Sequence, residues 1–279
     1  MTDSIDVSSA ELANSLRAID ESAPLVQALT NEVTMNDVAN LILHWDGLPV
    51  MADSPGDAGE MAHGADALLL NTGQVPATKV EAMREAARTA TERGIPIVLD
   101  PVGVGSTPTR KDVAQTLLTD VTFTVIKGNY GEISALAGVE ADVKGVESVG
   151  DYEEIEETAR SLADSTGSIV VASGVEDIVA DADSTYRLTA GHEMLGEVVG
   201  TGCMLGATLA AFNGALEDEH AAALHGTLAF GIAGERAAEL RYEGPASYRT
   251  NFHDAVAGLT ADVVSELDLE FSGRIERVA

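Results

Sequence analysis

Short apolar runs alternate with longer amphipathic stretches along the first part of the chain, and this alternation constrains the fold more than any other feature. The runs stand at 25–29, 48–51, 67–70, 95–99, 122–126 and 169–172. Stretches with helical periodicity lie between them, at 31–45, 57–63, 76–93, 109–119, 130–137 and 151–165. A brief run that is apolar throughout suits a strand buried on both faces, and strands separated by helices build βαβ crossovers and a mainly parallel sheet. Punctuation agrees: Pro24 and Pro49 stand at strand entries, Gly94 follows a helical stretch as a cap, and Pro96 opens the next run. After 168 the pattern changes to short runs at 169–172, 176–180 and 185–189 separated by turn residues, which predicts an antiparallel finish to the sheet. From 200 onward the chain reads as helical, at 200–216, 219–241 and 246–268. No linker separates the two parts. The expected architecture is α/β: one domain over 1–279 in three layers, α/β/α, with a mainly parallel central sheet and an antiparallel edge.

Charge narrows the function. The formal net charge is −30, and the acidic residues are spread along the whole chain. Such a surface repels phosphate backbones and anionic membranes, which argues against nucleic-acid and membrane-surface roles. A hydrophobic share of 45% is too high for a disordered acidic chain. The single Cys rules out an intrachain disulfide framework, and the polar, acidic N-terminus does not read as a signal peptide. Lysine occurs only at 79, 111, 127 and 144. A dispersed acidic surface stays soluble where salt screens its self-repulsion, so the expectation is a cytoplasmic protein of a salt-accumulating organism.

Several motifs fall at predicted strand ends, where ligands bind in open α/β sheets. Gly200-Thr201-Gly202-Cys203 opens an apolar helix. Free amides at a helix N-terminus make an anion site, glycine lets a phosphate approach, and the helix dipole favours a thiolate at Cys203. The same residues also suit a tight turn before a buried helix. Asp100 ends the 95–99 run and enters a loop with Gly103 and Gly105, which places it to hold a hydrated Mg²⁺; Arg110 follows and could pair with phosphate. A turn capped by Asp100, with Arg110 in solvent, is the alternative. Lys127-Gly128-Asn129-Tyr130-Gly131-Glu132 follows another run. There Asn129 and Glu132 have the spacing of a capping box, or Glu132 is a second carboxylate near the metal with Asn129 positioning it. Ser173-Gly174 offers a hydroxyl at a strand end. Asn31 to Asn40 and Met51 complete the set, Met being a soft wall for a heteroaromatic ring. The chain has no G-x-x-x-x-G-K-[ST], no early G-x-G-x-x-G, no H-E-x-x-H and no G-x-S-x-G. His220 and His225 are expected on a solvated helix.

Taken in order, the stretches LTNEVTMNDVAN, PVMADSP, ALLLNTGQV, PIVLDPVGVGSTPTR, VIKGNYGEISALAG and VVGTGCMLGATLAAF resemble the hydroxyethylthiazole kinase family, thiamine-salvage members of the ribokinase-like superfamily. The resemblance runs from about 24 to 212. It implies the three-layer ribokinase-like fold and transfer of phosphate from ATP, with Mg²⁺, to the primary hydroxyl of 4-methyl-5-(2-hydroxyethyl)thiazole. It further implies that Met51, Gly200 and Asn31 contact the substrate, and that Arg110, Ser173 and Asn129 serve ATP. Asp100 and Glu132 become the Mg²⁺-side carboxylates. Gly200, Gly202 and Cys203 become the catalytic turn, with Cys203 where relatives that phosphorylate hydroxymethylpyrimidine carry Asp. The family resemblance also implies a homotrimer with sites between subunits. His44-Trp45-Asp46-Gly47 departs from the family's usual aliphatic segment and bears on ring-pocket shape or subunit packing. A nucleotide-dependent repair dehydratase and a non-catalytic sensor are the readings that compete with it.

Overall fold

A computed structural model describes residues 8–139, 143–144, 147–148, 154–266 and 274–279. Helix α1 (Ser9–Ser22) precedes β1 (Leu25–Leu29), α2 (Met35–His44), β2 (Leu48–Val50), α3 (Asp57–Ala62), β3 (Ala67–Asn71), α4 (Ala77–Arg93) and β4 (Ile97–Asp100). Next come α5 (Pro108–Asp120), β5 (Val125–Asn129), α6 (Tyr130–Leu136) and a small ribbon of β6 (Val143–Lys144) and β7 (Glu147–Ser148). The chain continues through α7 (Ile155–Thr166), β8 (Ile169–Ser173), β9 (Asp177–Ala180) and β10 (Thr185–Leu188). It ends with α8 (Thr201–Ala215), α9 (Glu219–Glu239), α10 (Pro245–Ala257), α11 (Ala261–Glu266) and β11 (Ile275–Arg277).

The main sheet runs β11-β10-β9-β8-β5-β4-β3-β1-β2. Pairing is parallel from β2 to β8 and antiparallel from β8 to β11, as the change of pattern after 168 predicts. Side chains alternate across the sheet: Ala67 and Leu69 enter one core cluster, Leu68 and Leu70 the other. The first cluster packs under α1, α2, α8, α9 and α10, the second under α3, α4, α6 and α7. The result is three layers. The chain leaves β1 toward β2 on one side and returns to β3 on the other, so strand order reverses at β1 and opens a crevice at the carboxyl ends of β1 and β3.

The structure corrects several expectations. Helix α1 was not anticipated, although Leu12, Leu16 and Ile19 share its buried face and the Ser8 hydroxyl accepts from Glu11 N at 3.2 Å as its N-cap. The 246–268 stretch is broken: α10 stops at Ala257, Gly258 caps it, and α11 starts at Ala261. Positions 267–268 lie outside the described residues, as do 151–153 of the helix expected at 151–165. Helix α9 is not solvated; Leu224 to Gly234 are buried, His225 Nδ1 lies 2.8 Å from the Ser15 hydroxyl, and His220 pairs with Asp181 at 3.1 Å. Among the described residues, no helix is long and apolar enough to cross a membrane.

Candidate active site

The parallel register places the motif residues side by side. Asn71 at the end of β3 is the partner of Asp100 at the end of β4, and Asn129 of β5 is the partner of Ser173 of β8. From these ends a chain of contacts crosses the crevice. Asn71 Nδ2 donates to Asp100 Oδ2 at 2.5 Å, and Asn31 Nδ2 donates to Asn71 Oδ1 at 3.1 Å and to Cys203 Sγ at 3.4 Å. Asn31 Oδ1 in turn accepts from Thr34 N at 3.1 Å. On the other side of Asp100, Lys127 Nζ stands 3.6 Å from Oδ1. Asp100, Lys127, Asn31 and Asn71 are all buried.

The first turn of α8 sits over this pair. Gly200 takes φ +97°, which L residues rarely adopt, and its intrahelical ladder begins with Met204 N donating to Gly200 O at 2.9 Å. The amides of Thr201, Gly202 and Cys203 precede that ladder. A Cβ on Gly202 would lie 3.0 Å from Lys127 Nζ, so the ammonium lies directly against the turn. Burial works against the Lys127 charge, but Asp100 and then Glu132 outweigh it and hold the ammonium above the ordinary lysine range. Burial pushes the Asp100 carboxyl up, opposed by Lys127 and by the Asn71 hydrogen bond. Cys203 departs from expectation. Burial, then the nearby Asp100 charge, raise its pKa above that of an ordinary thiol, against the dipole of α8, so at neutral pH it is a thiol.

Glu132 and Asn129 form the capping box of α6. Asn129 Oδ1 accepts from Glu132 N at 2.9 Å, and Glu132 Oε2 accepts from Asn129 N at 2.8 Å. The other Glu132 oxygen accepts from Gly103 N at 2.7 Å, which ties the loop after β4 to α6. Burial, partly offset by Lys127, raises the Glu132 pKa to about 7. The hydrogen bonds show the capping-box reading of that motif, and the same carboxyl group stands within electrostatic reach of Lys127 and Asp100. Arg110 turns inward. Its guanidinium donates to Val102 O at 2.7 Å, Thr72 O at 3.0 Å and Gly73 O at 2.7 Å, fixing the loops after β3 and β4. The Ser173 hydroxyl makes a long contact, 3.4 Å, with Gly128 O. Met51, at the exit of edge strand β2, is half-buried against the helical core and joins none of these hydrogen bonds.

A metal must find its oxygens here. Among the described residues Asp100 Oδ1 is buried, 3.6 Å from Lys127 Nζ, and has no hydrogen-bond partner, which fits an acceptor for a hydrated cation. Among the described residues no three His, Cys, Asp or Glu side chains cluster to bind a metal directly. Three polar residues of this site have no role in the sequence reading: Asn71, Thr34 and Lys127, which there only opens a motif. Asn71 and Lys127 carried a signal, since each is polar at the end of an apolar run. Thr34 carried none; it packs against Gly200 only in three dimensions.

The sequence model of the hydroxyethylthiazole kinase family matches residues 16–262. A hydroxyethylthiazole kinase of Natronomonas pharaonis is 52% identical over 271 residues, covering 96% of each chain. The solved hydroxyethylthiazole kinase of Pyrococcus horikoshii OT3 is 34% identical, with a TM-score of 0.84 over 96% of this chain and 99% of that one. A ribokinase-like superfamily protein of Enterococcus faecalis, 12% identical with a TM-score of 0.66 over 91% of this chain and 96% of that one, shares the fold. The three-layer arrangement is thus ribokinase-like, and the chain belongs to the hydroxyethylthiazole kinase family.

Proposed function

We propose that this chain transfers the terminal phosphate of ATP to the primary hydroxyl of 4-methyl-5-(2-hydroxyethyl)thiazole, giving the thiazole phosphate and ADP in thiamine salvage. The observation that carries the reading is the buried Asp100–Lys127 pair set against the amide-bearing first turn of α8. Phosphoryl transfer depends on alignment and on neutralising charge, and a buried ammonium beside a helix N-terminus would supply the second. The amides at Gly202 and Cys203, with Lys127 beside them, face the charge on the transferred group. Asn31, Met51 and Gly200 form the acceptor side; Arg110, Ser173 and Asn129 form the nucleotide side, where Arg110 also shapes the loop. Asp100 Oδ1 and Glu132 would hold Mg²⁺ through water. When bound, that ion supplies charge neutralisation to the phosphate oxygens.

Cys203 is a neutral hydrogen-bonding partner in this scheme, not a base. A loose transition state needs little early proton removal, and the raised pKa keeps the thiol protonated. Cys203→Ala is expected to keep kcat within about tenfold of wild type, and Cys203→Asp to remain active or gain. Loss of turnover in both, with ATP binding intact, would overturn this role.

The reading places the protein in the cytoplasm as a single-domain homotrimer with sites at subunit interfaces, working at high salt. Its test is a turnover assay in molar KCl with ATP and Mg²⁺, offering the thiazole alcohol and hydroxymethylpyrimidine separately. Thiazole phosphate alone is expected. Pyrimidine phosphate would move the chain to the neighbouring activity, and binding without product would make it a sensor. Sedimentation of the same preparation at the 28.9 kDa mass of one chain would overturn the trimer.

A further inference from the structure

The segment after Met51 is strapped to β1 by buried polar groups. Gln27, fully buried on β1, donates its Nε2 to Ala52 O and to Ala58 O, each at 3.0 Å. Lys79, buried in the first turn of α4, donates Nζ to Thr30 O at 2.6 Å and stands 3.4 Å from Asp53 Oδ2. Thr30 immediately precedes Asn31, and Asp53 lies two residues beyond Met51. One ammonium thus spans the two loops that supply the acceptor side. Beside this span a cavity of about 690 Å³, lined in part by Glu32, Asp53, Gln74 and Lys79, separates the loops.

Lysine is a poor choice for this place on packing grounds alone. Its charge is almost wholly withdrawn from water, and it sits at the positive end of a helix dipole. An apolar side chain would fill the space without either penalty, but it could not reach a carbonyl on one loop and a carboxylate on the other. We propose that Lys79 is a positioning residue of the acceptor pocket, its ammonium setting the distance between Asn31 and the Met51 segment. Gln27 holds the same segment from beneath. The inference rests on the acceptor-side reading of Asn31 and Met51 given above.

The test is steady-state kinetics of wild type, Lys79→Met, Lys79→Arg and Asp53→Asn, with the thiazole alcohol and ATP varied separately. Lys79→Met is expected to raise KM for the alcohol by about tenfold while kcat and KM for ATP stay within about twofold. Lys79→Arg should recover most of that loss, because a cation can still reach both partners. Asp53 is partly exposed, so Asp53→Asn keeps the fold and should raise the alcohol KM by about two- to fourfold. An unchanged alcohol KM in Asp53→Asn and in folded Lys79→Met overturns the proposal, as does an equal effect on both substrates. If Lys79→Met does not fold, Asp53→Asn and Lys79→Arg decide. If wild type makes no thiazole phosphate, it is the activity reading that fails. The strap is then judged by the calorimetric Kd of the alcohol, expected to weaken about tenfold in Lys79→Met. No binding by wild type would remove both.

Discussion

Asp100→Asn is expected to lower kcat by about 10²–10³-fold, the scale of removing a preorganised electrostatic group from a dry site. The side chain keeps nearly the same shape but loses its charge and gains a donor. Asp100 receives Asn71 Nδ2 on one oxygen and faces Lys127 with the other, which has no hydrogen bond of its own. An amide there aims a donor at one of those two donors whichever way it is turned. Two consequences separate. The free oxygen that suits a hydrated Mg²⁺ is gone, so the Mg²⁺ concentration for half-maximal rate should rise. The Lys127 ammonium also loses its nearest counter-charge in a buried place, which costs about 3–5 kcal/mol of stability for such a pair. The double variant Asp100→Asn with Lys127→Met removes the stranded charge. It should regain much of the stability in thermal unfolding and none of the turnover. A single variant with kcat within about tenfold of wild type would remove Asp100 from the proposed machinery.

Gly200→Ala is expected to lower kcat/KM by about 10²-fold, since displacements of about 1 Å at a reacting centre have that effect. The backbone there has φ +97°, and an added Cβ would come within 2.5 Å of Thr34 Cγ2. The side chain cannot fit unless the first turn of α8 moves away from the 31–34 loop. That movement would carry the amides of Gly202 and Cys203 off the line defined by Lys127 and Asp100. Gly200→Ala combined with Thr34→Ser removes the methyl in the way but leaves the strained φ. Partial recovery in the double variant assigns the loss to the clash, and no recovery assigns it to the backbone. Wild-type kinetics in Gly200→Ala would show that the turn has no part in transfer.

Much of the layout was legible in the sequence, for reasons specific to particular residues. The runs at 67–70 and 169–172 are apolar, and that at 25–29 is apolar apart from Gln27, because their strands are buried on both faces, and strands β1, β3 and β8 follow them closely. Asp100 is legible because it follows such a run directly, and Asn129 because it stands with capping spacing three residues before Glu132. Helix α1 is hard to read because its apolar face is interrupted by Ser15, which is buried against His225 on a helix far away in the chain. β11 is too short to show a period, and its pairing with β10 is what makes it a strand. The break at Gly258 falls in a stretch whose pattern continues across it.

The sequence by itself determined most of the element types, the parallel and antiparallel parts of the sheet, and the strand ends at which chemistry gathers, because these follow from local periods of apolar and polar residues. Only the tertiary structure decided which ends meet. The reversal of strand order at β1 brings Asn31 to Asn71 and Cys203, and packing of α8 over the sheet sets Gly202 against Lys127. It also decided the state of Cys203: the dipole of its own helix favours a thiolate, but burial and the charge of Asp100, contributed by distant segments, are stronger. Periodicity is local along the chain, whereas desolvation and Coulomb interactions depend on distance in space.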